Sequence, residues 1–187
     1  MLNVDKLIGK TSNKASFIAP TDDQKTLHKN LEFTAVEQYK LLRTNIMFSF
    51  SDEGRGHVIG VTSAVQDEGK SSTACNIAYA LAEDNVKVLL LEADLRRPSV
   101  SAKLSVARKP GLTNLLVNRE DRDVVTQQSV HAPQVDLICC GDIPPNPSEL
   151  LGSEQLAEFI EQLRKPYPLR RNALVHTFVF RFVLVEV

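Results

Sequence analysis

The stretch from His57 to Leu91 restricts the fold more than any other part of the chain. A short apolar run, His57-Val-Ile-Gly-Val-Thr62, leads into the loop Ser63-Ala-Val-Gln-Asp-Glu-Gly-Lys-Ser71. An Ala-rich segment from Lys70 to Glu83 follows, with Ala74, Ile77, Ala78 and Leu81 at the spacing of one inward helical face. The polar turn Asp84-Asn85 then delivers the chain to a second apolar run, Val86-Lys-Val-Leu-Leu-Leu91. Strand, glycine loop, helix and strand in that order begin a parallel sheet, because parallel neighbours need a crossover of helix length.

Within this unit Gly69-Lys70-Ser71 has the chemistry of a phosphate loop. Such a loop needs a strand to aim it, backbone N–H groups to wrap phosphates, a Lys to reach the β and γ phosphates, and a hydroxyl to hold Mg²⁺. The usual pattern G-x-x-x-x-G-K-[ST] places its first Gly where this chain has Ala64, so the match is one residue short. A Lys opening a helix also opposes the helix dipole unless an anion is present. The plainer alternative is a capped turn; the binding reading takes Glu68, Gly69, Lys70, Ser71 and Ser72, with Thr73 a weaker candidate for the α phosphate.

The second apolar run ends in Leu91-Glu-Ala-Asp-Leu-Arg-Arg-Pro98, with Glu92 and Asp94 two positions apart and so on one side of an extended strand. In a doubly wound sheet that end adjoins the phosphate loop. A carboxylate there can hold a Mg²⁺ water or polarise a hydroxyl, and Arg96 or Arg97 can pair with phosphate. The alternative is a polar exit from a strand. The catalytic candidates are thus Lys70, Glu92 and Asp94, and the metal candidates Ser71 and Asp94.

The rest of the chain frames this unit. Residues 1–32 read as a mobile leader, and Glu32–Ser51 as an amphipathic helix with Thr34 as its cap and Val36, Tyr39, Leu42 and Ile46 in one stripe beside Leu41 and Met47. Glu37, Lys40 and Arg43 fan across adjacent faces of that helix, free to pair locally or with another chain. Leu112–Leu116 reads as a short helix, Val135–Cys139 as a strand, and Ser148–Lys165 as a helix capped by Ser148. With 22 basic against 23 acidic residues the net charge is -1, which gives no ground for nucleic acid as a partner. Cys75, Cys139 and Cys140 lack metal-ligand spacing and fit packing in a reducing compartment; no stretch reaches the length of a membrane span.

Four stretches together resemble the bacterial tyrosine kinases of the capsular and exopolysaccharide type: Glu37-Gln-Tyr-Lys-Leu-Leu-Arg-Thr-Asn45, Thr62–Thr73 with Asn76, Leu89–Pro98, and Gly141–Leu151. The resemblance implies an α/β, P-loop NTPase-type parallel sheet flanked by helices, incomplete on its C-terminal side. It implies ATP and Mg²⁺ as cofactors and autophosphorylation on tyrosine, regulating capsular or exopolysaccharide biosynthesis. Lys70 would hold the β and γ phosphates and Ser71 the Mg²⁺. Glu92 would stand where the family has an Asp, and Asp94 would be the second carboxylate. Glu37, Lys40 and Arg43 would form the family's subunit-contact motif, with Lys40 where Arg is usual. The implied partners are further copies of the chain and a membrane-bound polysaccharide copolymerase that activates the kinase, which places the protein in the cytoplasm beside the membrane.

The resemblance also predicts a third catalytic carboxylate just beyond residue 165, where this chain instead has Tyr167-Pro-Leu-Arg-Arg-Asn172 and an apolar tail without Asp. The expected division is leader 1–32, partial kinase domain 33–166 and atypical tail 167–187, with the switch at Tyr167 resembling a shifted or shortened reading frame. Thr177–Val185 has strong β propensity, which makes it either an aggregation-prone edge or a substitute strand. Of three tyrosines, Tyr39 and Tyr79 lie in helices, leaving Tyr167 as the expected phosphorylation site. Two other functions stand beside the kinase: a non-catalytic nucleotide-binding remnant, and a partition or septum-placement ATPase. The latter carries a Lys five residues before the loop Lys, where this chain has Val65.

Overall fold

The structure, a computed structural model, describes residues 31–50, 56–84, 86–129 and 134–164, together with the backbone of 176–181. Residues 1–30 of the expected leader and Tyr167 lie outside the described residues, while Glu32, counted with the leader, caps α1. Helices α1 (Phe33–Ser49), α2 (Lys70–Glu83), α3 (Val100–Leu104), α4 (Leu112–Asn118), α5 (Arg122–Val125), α6 (Pro147–Leu151) and α7 (Glu154–Arg164) flank five strands, β1 (His57–Val61), β2 (Lys87–Leu91), β3 (Gln127–Gln128), β4 (Val135–Ile138) and β5 (His176–Arg181). The sheet order is β1-β5-β2-β4-β3. All pairings are parallel except β3 with β4, so the expected parallel sheet is a mixed one with an antiparallel edge.

The crossover through α2 leaves one strand's width between β1 and β2, and β5 fills it. Thr177 pairs with His57 on one side and Val88 on the other. Residues 176–181 are therefore a substitute strand in the interior of the sheet, and the aggregation-prone edge is not what their backbone forms. Period-two alternation then splits the core. Val88, Leu90, Val135 and Leu137 join the α2 residues Ala74, Ile77, Ala78 and Leu81 in one layer. Leu89, Leu91 and Ile138 join Leu112, Leu116, Leu156, Phe159 and Leu163 in the other.

Helix α2 has the bounds its sequence predicts and is buried along most of its length, because small Ala side chains let it lie close to the sheet. Helix α1 is peripheral. Tyr39, Ile46 and Met47 pack against the core, but no residue of α1 is fully buried and Leu42 turns outward. Its N-cap is Glu32 in extended backbone, two residues before the predicted Thr34, which lies inside the helix. The single helix expected over 148–165 is two. Pro147 opens α6 and Gly152 ends it, and the Ser153 hydroxyl accepts from Leu156 N at 3.3 Å to cap α7, so the cap is not Ser148.

Candidate functional site

The loop after β1 is aimed into solvent at the end of the sheet. Gly69 precedes α2 at φ +83°, a conformation that L residues rarely adopt, and an added Cβ there would meet nothing within 4 Å. The demand for glycine is thus one of backbone and not of space. Lys70 opens the helix 9% exposed, its Nζ donating to Ser63 Oγ at 2.7 Å and to the Val65 carbonyl at 2.8 Å. The ammonium thereby pins the far side of its own loop. Glu68 closes the same loop by accepting from Val65 N at 3.2 Å, and Gln66 Nε2 donates to Asp67 at 2.8 Å.

The exit of β2 forms the opposite wall. Asp94, 3% exposed, accepts from Arg96 N at 3.2 Å and Arg97 N at 2.9 Å, an Asx-type turn at the strand exit. Arg96 reaches across to Ser148 Oγ at 3.1 Å, tying this wall to α6. Between the walls lies a cleft of about 760 Å³ lined by residues of the loop 63–72 and by Asp94, Arg96–Ser99 and Lys103. Of the residues singled out in the sequence, Gly69, Lys70, Ser71, Ser72 and Asp94 meet there; Glu68 is not among the lining residues, its carboxylate instead accepting from Val65 N.

Glu92 is placed elsewhere. It is 0% exposed, and its Oε1 accepts from Ser99 N at 2.6 Å and Val100 N at 2.7 Å, while Oε2 accepts from Cys140 N at 3.2 Å. A carboxylate so enclosed binds two loops together beneath the cleft. It also bears on the neighbouring thiols: burial, reinforced by the Glu92 charge, pushes Cys139 well above the ordinary thiol range and Cys140 up to about 11. Both thiols stay protonated at neutral pH.

The α1 candidates are engaged within the chain. Lys40 pairs with Glu37 at 3.0 Å, and Arg43 donates to the Ala80 carbonyl at 3.1 Å near the end of α2, with Glu83 3.9 Å away. A cation at a helix C-terminus meets the negative end of its dipole. Ser63, Ser99 and Lys103 also line the cleft, although none is among the candidates that the sequence singles out. Ser99 lies 28 positions from Ser71, yet their hydroxyl oxygens are 2.8 Å apart, a proximity that only the tertiary fold creates.

This donor set fits a nucleotide's phosphates and a hydrated divalent cation. Lys70, Arg96, Arg97 and Lys103 supply positive charge, the loop leaves its interior open, and Ser71 on one wall with Asp94 on the other offers hard oxygen donors. Among the described residues no group of three His, Cys, Asp or Glu could hold a metal ion.

Residues 59–185 match the model of the CobQ/CobB/MinD/ParA nucleotide binding domain. The chain belongs to that family. The match runs through most of the tail that the sequence reading set apart. Within the family the chain is related to bacterial tyrosine kinases: it is 38% identical over 133 residues to tyrosine-protein kinase YwqD of Bacillus subtilis (strain 168), covering 71% of this chain and 55% of that protein. The chain thus spans about half the length of that relative. Among solved structures, the chimerical protein CapA2B2 superposes with a TM-score of 0.68 at 25% identity, over 87% of this chain and 68% of that one. The kinase domain of Escherichia coli tyrosine kinase ETK gives 0.64 at 28% identity, over 86% and 64%. Among the described residues no helix is long and apolar enough to cross a membrane.

Proposed function

We propose that the chain binds Mg-ATP in the cleft between the loop 63–72 and the exit of β2, and that it serves as the nucleotide-binding part of an autophosphorylating tyrosine kinase regulating capsular or exopolysaccharide biosynthesis. The observation that carries this reading is the placement of the Lys70 ammonium and the Ser71 hydroxyl on one wall of a cleft whose other wall is Asp94, Arg96 and Arg97. Lys70 exchanges its loop partners for β and γ phosphate oxygens. Arg96 and Arg97 offset the remaining phosphate charge at the mouth. Ser71 and Asp94 would hold the cation, which when bound would draw charge from the phosphate oxygens. In transfer, the γ phosphorus gains a bond to a tyrosine oxygen and loses its bond to the bridging oxygen of ADP, and the phenolic proton passes to a base, for which Asp94 is the carboxylate on the wall.

The acceptor tyrosine proposed is Tyr167, or one on a neighbouring copy. The partners proposed are further copies of the chain and a membrane-bound polysaccharide copolymerase, with Glu37, Lys40 and Arg43 on the contacting helix, and the place proposed is the cytoplasmic face of the membrane. One observation favours a second reading, nucleotide binding without transfer. The strand next to the phosphate-loop strand is β5, and its sequence, His176–Arg181, ends in a cation and contains no carboxylate. Incubation with Mg-ATP followed by intact-mass and peptide analysis separates the two. Added phosphate on tyrosine, lost in Lys70→Ala, supports the kinase. Saturable ATP binding with no added phosphate supports the second reading, and absence of both contradicts each.

A further inference from the structure

The hydroxyl of Ser71 faces the cleft and also meets Ser99 Oγ at 2.8 Å. Ser99 is held there from below. Its amide and that of Val100 both donate to Glu92 Oε1, at 2.6 and 2.7 Å, and the other oxygen of Glu92 is anchored by Cys140 N at 3.2 Å. Three amides from two separate loops thus converge on one carboxylate without exposed surface.

A hydroxyl that lends an oxygen lone pair to a cation must send its proton elsewhere, and the acceptor of that proton fixes the direction of the lone pairs. Ser99 Oγ stands within hydrogen-bond reach to be that acceptor. Resting on the Mg-ATP reading above, we propose that Ser99 is a positioning residue for the metal-facing hydroxyl of Ser71, and that Glu92 acts on the cation only through Ser99. The length of Glu92 is then part of the device. An Asp at this position is one methylene shorter, and its oxygens withdraw from the Ser99 and Val100 amides that the longer side chain reaches.

The test is calorimetric titration of the full 187-residue chain with ATP, with and without Mg²⁺. Ser99→Ala is expected to reduce the Mg²⁺-dependent gain in ATP affinity about tenfold, the scale of a lost outer-shell partner, while Mg²⁺-free ATP affinity stays within about twofold. Ser99→Thr, which keeps a hydroxyl, restores the gain. Glu92→Asp shows the same selective loss, and the double variant Ser99→Ala with Glu92→Asp loses no more than Ser99→Ala alone, as expected of residues acting in series. A full Mg²⁺ effect in Ser99→Ala, a Thr variant as poor as Ala, or additive losses in the double variant overturn the proposal while leaving the nucleotide reading intact. Where Glu92→Asp does not fold, the Ala and Thr variants of Ser99 decide alone. A wild-type chain that binds no ATP overturns the nucleotide reading and this proposal with it.

Discussion

The two strand exits that make the cleft are built in opposite ways. After β1, residues 64–69 are all exposed, and the contacts that shape them run among Ser63, Val65, Gln66, Asp67, Glu68 and Lys70. After β2, residues 92–95 are all buried, and Glu92 binds amides from the start of α3 and from the end of β4. The first exit keeps its polar groups available for exchange with a ligand. The second uses its polar groups internally and supplies a fixed wall. A phosphate site needs both, since donors must be free to turn toward the anion and the surface they work against must not move.

That contrast predicts a steep difference in how substitutions register. Glu92→Leu leaves three amides without their acceptor and is expected to cost about 2–4 kcal/mol of stability, read from the midpoint of urea unfolding. Gly69→Ala has open space for its methyl group but must hold φ near +83°, so about 1–2 kcal/mol is expected by the same measurement. A cost near zero would mean that the loop relaxes and that its exit is softer than described.

The buried wall also has a pH signature. Cys140 is raised from its ordinary 9.0 to about 11, chiefly by burial and then by Glu92, so the folded state keeps a proton that the unfolded chain has released. Its contribution is fully present below pH 9 and is lost as pH rises through 11. Cys140→Ala is expected to flatten the decline in stability over that window. The smallest effect belongs to the exposed exit: Glu68→Ala removes one surface hydrogen bond and should change stability by less than about 0.5 kcal/mol. A Glu68 variant as damaging as Glu92→Leu would erase the distinction between the two walls.

Much of this arrangement is legible in the residues because local pattern and tertiary role coincide. The bounds of α2 follow from Gly69 at one end and Asp84-Asn85 at the other, and its inward Ala74, Ile77, Ala78 and Leu81 are buried as their spacing requires. Lys70, Ser71 and Asp94 reach one cleft because strand ends and helix starts in a parallel sheet share an edge. What the pattern does not carry is long-range. The position of β5 between β1 and β2 is set by pairing partners over 85 residues apart for Lys87 and His176, and nothing in either strand's composition names its neighbour. Ser99 meets Ser71 only because Glu92 reaches two amides beyond a turn. The outward Leu42 and the break at Gly152 show the converse, periodicity running on where the core has already ended.

The central claim is that the open loop and the fixed wall together bind Mg-ATP through Lys70. Calorimetric titration of the wild-type chain and Lys70→Ala with Mg-ATP tests it most directly, because Lys70 Nζ contacts its own exposed loop and its loss should leave the fold intact. The expected result is saturable binding by the wild type and affinity about a hundredfold weaker or worse in the variant, with unchanged circular dichroism. Equal affinity in the two folded proteins, or no binding by a soluble and monodisperse wild type, would contradict it.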